Sequence, residues 1–406
     1  MTLNRRQAAA LLSGALGSLA ARGTARAQAG GTIRIGVIQP MSGPTAAYGQ
    51  ETQPVVEYLI GKINAAGGIR SLGGAKLEIV LADSTGQPAR AAAEALRLVT
   101  QENVALLTGF VLTSEALAIG PVLDAHACPM VTFMASESAS PFLFSLGLHN
   151  DRGYVQSMKG FIDFLGAKRG RKLGTVVTAS SNYEAGQKFT RLASERLKEA
   201  GYTIAGDVPL DVRAQDHTAA LLKIRALKPD VVIGFNTQGD IVKLHRARYD
   251  TQYRGAVFIG STGAADPSLW HELGRDIAGQ VLTRDYYSLA LFAPGLPGPT
   301  NAFIDDVVRH ARLKRSFGQF SMFAAQSILV IKEALEAAGS AERRRIAEAI
   351  RGINLPFGHP SMIMPRQNGL AFAEDRLPRD SSALMVEWTG DAALKVVYPE
   401  AFVKAS

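Results

Sequence analysis

The chain has 406 residues, 44 of them basic and 36 acidic, for a formal net charge of +8. Four of the arginines lie in the first 29 residues with no acid among them, so the remainder carries 40 basic and 36 acidic residues, a surplus too small and too scattered to mark a nucleic-acid partner. The single cysteine, Cys128, excludes an intramolecular disulfide and any cysteine-based metal cluster.

Taken in chain order, residues 1–29 read as a cleaved export signal. Arg5-Arg6 precede an uncharged Ala- and Leu-rich run over 7–21, and the segment closes on the small-x-small site Ala25-Arg26-Ala27. The run is too short for a spanning helix, and the arginine pair fits twin-arginine export and ordinary secretion equally. What remains is longer than one core usually organises, so two domains are expected.

From 33 to 146 strand and helix alternate. Apolar runs at 33–39, 76–82, 104–108 and 129–133 read as strands. Val55, Val56, Leu59, Ile60 and Ile63 share one helical stripe, with Pro54 expected in the first turn, where its missing N–H costs nothing, and Gly67-Gly68 as the stop. A second helix is expected over 88–101. A third begins at Thr113, with a kink or an early end at Pro121. A second alternating series follows Asn150: helix 152–166, strand 172–178, helix 184–200, helix 216–227 capped by Asp216, and the buried strand Val231-Val232-Ile233-Gly234-Phe235. Helices over 302–314 and 319–338, the latter stopped by Gly339, then lead to short strand-like pieces at 383–388 and 394–398. The fold class is α/β, with two doubly wound, Rossmann-like lobes.

Several motifs taken together resemble the extracellular solute-binding proteins of branched-chain amino acid ABC importers. They are IRIGVIQPMSGP at 33–44, Tyr48-Gly49, NAAGGI with GGAKLEIVLAD through Asp83, Gly109 followed by Thr113-Ser114, Lys228-Pro229-Asp230-Val231-Val232, and the late helix 324–339. The resemblance implies the type I periplasmic-binding-protein fold, with three segments crossing between the lobes near 147–151, 282–286 and 357–362. Lobe 1 would then comprise 30–148 with 284–358, and lobe 2 149–283 with 359–406. It also implies a periplasmic, monomeric, non-enzymatic binder that closes on a small solute by hinge motion and delivers it to a membrane permease. No cofactor and no metal is implied.

A carboxylate entering a closed cleft loses water and needs hydroxyls and backbone N–H groups at a helix start in exchange. On the resemblance, Thr113, Ser114 and Ser136, with the backbone of Met134, form that anion site; plain helix capping is the competing role of the hydroxyls. Tyr48 and Tyr183 would supply one aromatic wall from each lobe, with Phe320 adding to the first and Phe323 packing in the core. Related amino acid binders carry an acidic residue where this chain has Thr262, in the turn after the strand at 257–260. A neutral hydroxyl cannot stabilise a desolvated ammonium as a carboxylate does. Asp285 is the expected substitute, Asp266 being better placed to cap the next helix. The ligand is accordingly an amino acid or an acid or amide without an ammonium, and a ligand-sensing subunit would share every binding residue with an importer.

An enzyme on the same fold finds little support. The G-x-G-x-x-G, G-x-x-x-x-G-K-[ST], H-E-x-x-H and G-x-S-x-G patterns do not occur where they would be needed. The seven histidines are scattered without ligand-like spacing.

Overall fold

The computed structural model describes residues 30–109, 112–133, 140–266, 268–296, 298–313, 317–390 and 392–403. The expected export signal therefore lies outside the described residues, as do Met134 and Ser136. Among the described residues no helix is long and apolar enough to cross a membrane.

The first lobe is built from β1 (Thr32–Gln39), α1 (Ala46–Ala65), β2 (Lys76–Asp83), α2 (Pro88–Thr100), β3 (Leu106–Gly109), α3 (Thr113–His126), β4 (Met130–Thr132) and β5 (Leu143–Ser145). Its strands pair in parallel in the order β2-β1-β3-β4-β5. Alternation along β1 divides the core between the two faces of this sheet. Ile35 and Val37 pack with Val55, Val56 and Leu59 of α1, whereas Ile38 packs with Leu98 of α2 and Ile119 and Leu123 of α3.

The second lobe begins with a π-helical turn, Asn150–Val155, that runs into α4 (Gln156–Lys168). It continues through β6 (Thr175–Thr178), α5 (Glu184–Glu199), β7 (Thr203–Asp207), α6 (Thr218–Leu227), β8 (Val231–Ile233), α7 (Gln238–Asp250), β9 (Val257–Gly260), α8 (Ser268–Leu273), α9 (Arg275–Val281) and β10 (Tyr286–Ala290). The chain then returns to lobe 1 as α10 (Thr300–His310), α11 (Gln319–Ala338) and α12 (Arg343–Arg351), where Ile328, Ile331 and Leu335 of α11 join the core under β1. After a two-stranded ribbon of β11 (Asn354–Leu355) and β12 (Leu370–Ala371), β13 (Leu384–Trp388) and β14 (Leu394–Tyr398) add antiparallel strands to the second sheet. That sheet runs β14-β13-β10-β9-β8-β6-β7.

Two of the three expected crossings move. Tyr286–Ala290 is a strand of the second sheet, hydrogen-bonded to β9 on one side and β13 on the other, so the chain leaves lobe 2 at 291–299 and not at 282–286. The third crossing is also later than 357–362. Gln326 of α11 binds Ser361, Ile363 and Met364 through both ends of its amide, which keeps that stretch on lobe 1. The return to lobe 2 runs through 372–383, where Arg152 of the first crossing grips Asp375 with two hydrogen bonds of 2.9 and 3.1 Å.

Proline misleads at two positions. α1 starts at Ala46, so Pro54 sits inside the helix and Tyr48 in its first turn. α3 runs unbroken through Pro121, which lies on the exposed face, where a carbonyl that loses its N–H partner is open to solvent.

Candidate functional site

The parallel strands of each sheet, all of sheet 1 and β6 to β10 of sheet 2, send their strand-to-helix loops to one end, where Tyr48 of one lobe lies within electrostatic reach of Tyr183 of the other. Tyr48 follows β1, Thr113 and Ser114 follow β3, Tyr183 follows β6 and Thr262 follows β9. The structure thus brings Tyr48, Thr113, Tyr183 and Thr262 to the carboxyl ends of four strands, two in each lobe. Gly109 makes the approach in lobe 1 possible. Its φ is +136°, and a Cβ there would stand 1.9 Å from the carbonyl oxygen of Ile38.

In lobe 1 Tyr48 is half-buried and meets Phe320 edge-on, with ring centroids 4.8 Å apart. Burial first, and the Glu51 carboxylate second, push its phenol pKa up. Glu51 itself caps α11, accepting from the N–H and the hydroxyl of Ser321 at 3.0 Å each. Thr113 is half-buried in the first turn of α3, whereas Ser114 points to solvent. Beside them lies a group the sequence reading missed. Glu115 is fully buried, accepts from the N–H of Leu112 at 2.8 Å through Oε2, and has the Ser84 hydroxyl beside its carboxylate. Burial raises its pKa above the usual carboxylate range.

In lobe 2 Phe235 is the hub of an aromatic cluster, touched by Tyr154 at 5.2 Å, Phe189 at 5.9 Å and Tyr183 at 6.4 Å between centroids. Burial, then the phenols of Tyr154 and Tyr48, raise the pKa of Tyr183. The Tyr48 phenol thus lies within electrostatic reach of Tyr183, from the opposite lobe. The Tyr154 hydroxyl faces Thr262 and is buried. Sequence gave no sign of Tyr154, which falls inside a stretch read as plain helix.

Asp240, another unforeseen residue, fixes the loop that carries Tyr183. Its buried carboxylate accepts from Ser181 at 2.5 Å, from Thr237 at 2.9 Å and lies 2.9 Å from His217 Nε2, and Ser181 O in turn accepts from the Tyr183 N–H at 2.8 Å. These hydrogen bonds hold the Asp240 pKa low against its burial. The carboxylate stands between histidine and serine, so the imidazole cannot activate the hydroxyl as a triad would.

The structure does not bring Asp285 into this group. Its carbonyl accepts from the N–H of Phe258 near the amino end of β9, about 13 Å from Thr262 at roughly 3.3 Å per strand residue. Its carboxylate pairs with Arg169 and is half-exposed. The error follows from the misplaced crossing, since Asp285 precedes a strand of sheet 2 and does not sit in a segment between lobes. Asp266 binds its own helix start, accepting from the N–H and hydroxyl of Ser268. Among the described residues no group of three or more His, Cys, Asp or Glu side chains is arranged to hold a metal ion.

Two lobes with strand-end loops facing one cleft define a periplasmic-binding-protein architecture, and a family model described as periplasmic binding protein matches residues 32–385. The chain belongs to that family. Among its relatives, the Leu/Ile/Val-binding protein homolog 7 of Brucella abortus is 24% identical, over 95% of this chain and 96% of its own length. Two solved structures share the fold. The branched-chain amino acid transporter substrate-binding protein LivJ of Streptococcus pneumoniae, in complex with isoleucine, superposes with a TM-score of 0.70 at 19% identity, covering 91% of this chain and 100% of that one. A solute-binding protein of an ABC transporter from Rhodopseudomonas palustris BisB5, in complex with 3,4-dihydroxybenzoic acid, gives 0.69 at 20% identity, covering 92% and 98%.

Proposed function

We propose that this chain is the exported solute-binding component of an ABC importer, which captures a small carboxylic acid in the inter-lobe cleft and delivers it to a membrane permease. The observation that carries this reading is the convergence of Tyr48 and Thr113 from one lobe with Tyr183 and Thr262 from the other. Thr113, at the start of α3, is suited to a carboxylate, with Ser136 and the Met134 backbone as further donors. The tyrosines and Phe235 suit an apolar or aromatic body. Residues 1–29 would be removed on export.

Of the two kinds of solute that the related structures hold, one carries an ammonium and one does not. Thr262 beside Tyr154 offers hydroxyls where an ammonium would need a carboxylate, and Asp266 and Asp285 are engaged elsewhere. This favours an acid or amide without an ammonium over a branched-chain amino acid. A thermal-shift screen against amino acids, aliphatic and aromatic acids and short amides tests the reading. A solute at 100 times its Kd adds about 2.7 kcal/mol of stability. Stabilisation by ammonium-free acids is expected. Stabilisation by leucine, isoleucine or valine alone would reverse the choice of ligand, and a flat response to every class would count against solute binding.

A further inference from the structure

Arg366 lies between Met364 and β12 and is only 1% exposed. Its Nη2 donates to the carbonyl of Leu146 at 3.0 Å, while Nε and Nη1 are enclosed without an acceptor. Leu146 continues β5, its N–H donating at 3.1 Å to the carbonyl of Thr132, the last residue of β4. The guanidinium is therefore anchored at the carboxyl end of sheet 1, the end at which Thr113 and Tyr48 stand. Asp380 is the acid within its electrostatic reach, and that carboxylate is engaged by the N–H groups of Asn368 and Ser382 at 3.1 and 2.9 Å. Burial draws the Arg366 pKa down to about 10, which leaves the group cationic at neutral pH.

An enclosed cation with two empty donors costs desolvation energy that an apolar side chain of similar length would not. Its field, little screened by solvent, extends well beyond contact distance. The molecule holds a second enclosed arginine for contrast. Arg248 is fully buried and only its Nε lacks an acceptor, Nη1 and Nη2 donating to the carbonyls of Val281 and Arg284, at the amino end of β10 and away from the cleft.

We propose that Arg366 is a specificity-determining residue of the cleft, whose enclosed charge at the carboxyl end of sheet 1 favours a solute bearing a carboxylate over the same solute bearing a neutral amide. This rests on the solute-binding reading. It assigns the anion preference to a charge behind the site in addition to the hydroxyls that line it.

The test measures Kd for matched acid and amide probes: benzoate and benzamide, 3-methylbutanoate and 3-methylbutanamide, leucine and leucinamide. In the pair that binds best, Arg366→Met should weaken the acid about tenfold and the amide less than twofold, as loss of a charge–charge attraction requires. Arg366→Lys should keep the preference, and Arg248→Met should leave it unchanged. Should Arg366→Met fail to fold, Arg366→Gln is read in the same way. An equal loss for acid and amide, an unchanged ratio, or an amide that binds the wild type better than its acid overturns the inference and leaves the solute-binding reading standing. Failure of every probe to bind the wild type overturns both.

Discussion

Tyr183 is held by a chain of hydrogen bonds that runs from its own N–H through Ser181 to Asp240 and His217, and its ring rests near Phe235. Tyr183→Ala should therefore weaken solute binding by about 1–3 kcal/mol, the loss expected for an aromatic wall, with little change in melting temperature. Thr113→Ala should cost a carboxylate solute about 1.5–3 kcal/mol, the worth of a hydrogen bond to a charged group. Titration calorimetry reads both. Asp285→Asn should leave solute affinity unchanged and alter stability by no more than about 1 kcal/mol, because its pair with Arg169 is partly exposed and screened by solvent. At this scale what was legible is position: Tyr48, Thr113, Tyr183 and Thr262 each fall in or just after a loop that follows a strand. Glu115, Tyr154 and Asp240 escaped notice because their roles depend on burial and on partners more than twenty residues away or behind a turn, which local pattern does not encode.

Elements were read well where apolar alternation is strong. β1, β2 and α11 fall where their patterns place them, whereas β7, an edge strand whose sequence TIAGD contains glycine and a terminal acid, leaves no clear signal. β10 was misread because a proline- and glycine-rich stretch follows it, and its membership of the sheet is decided by long-range pairing with β9 and β13. The π-helical turn at the first crossing offers a pH prediction. His149 Nδ1 accepts from the N–H groups of Asp151 and Arg152 at 3.1 and 3.2 Å, and burial, then Arg152, lowers its pKa, against the pull of Asp375 and Asp151. His245, buried beside Arg248, is lowered further for the same two reasons, burial and then a neighbouring cation. Both histidines are thus neutral in the fold with pKa values below those of the unfolded chain. The stability they contribute is fully present above about pH 6.5, the ordinary histidine value, and is lost as the pH falls through that value towards the folded one. Melting temperature should decline from about pH 6.5 downward, before the carboxylates titrate, and less steeply in His149→Ala. Gly109→Ala should destabilise by at least about 2 kcal/mol, since it combines an unfavourable φ with a backbone collision, and chemical denaturation would measure it.

At the scale of the whole molecule, three crossing segments tie two α/β lobes whose strand-end loops share one cleft. Arg152 with Asp375 fastens the first crossing to the third, beside the carboxyl end of β5 that Arg366 also holds. On the proposed reading, closure on a solute would bring Tyr48 and Tyr183 together about these segments. Apolar alternation carried the two lobes. The solute's identity was not legible, because it depends on how hydroxyls and charges from distant segments meet in three dimensions.

The most direct test is titration calorimetry of the best solute from the screen against the wild type, Thr113→Ala and Tyr183→Ala, one variant from each lobe. Solute capture between the lobes predicts one site per chain and a loss of affinity of about fivefold or more in each variant, about 1 kcal/mol or more. Unchanged affinity in both variants would place the solute outside the inter-lobe cleft and contradict the account.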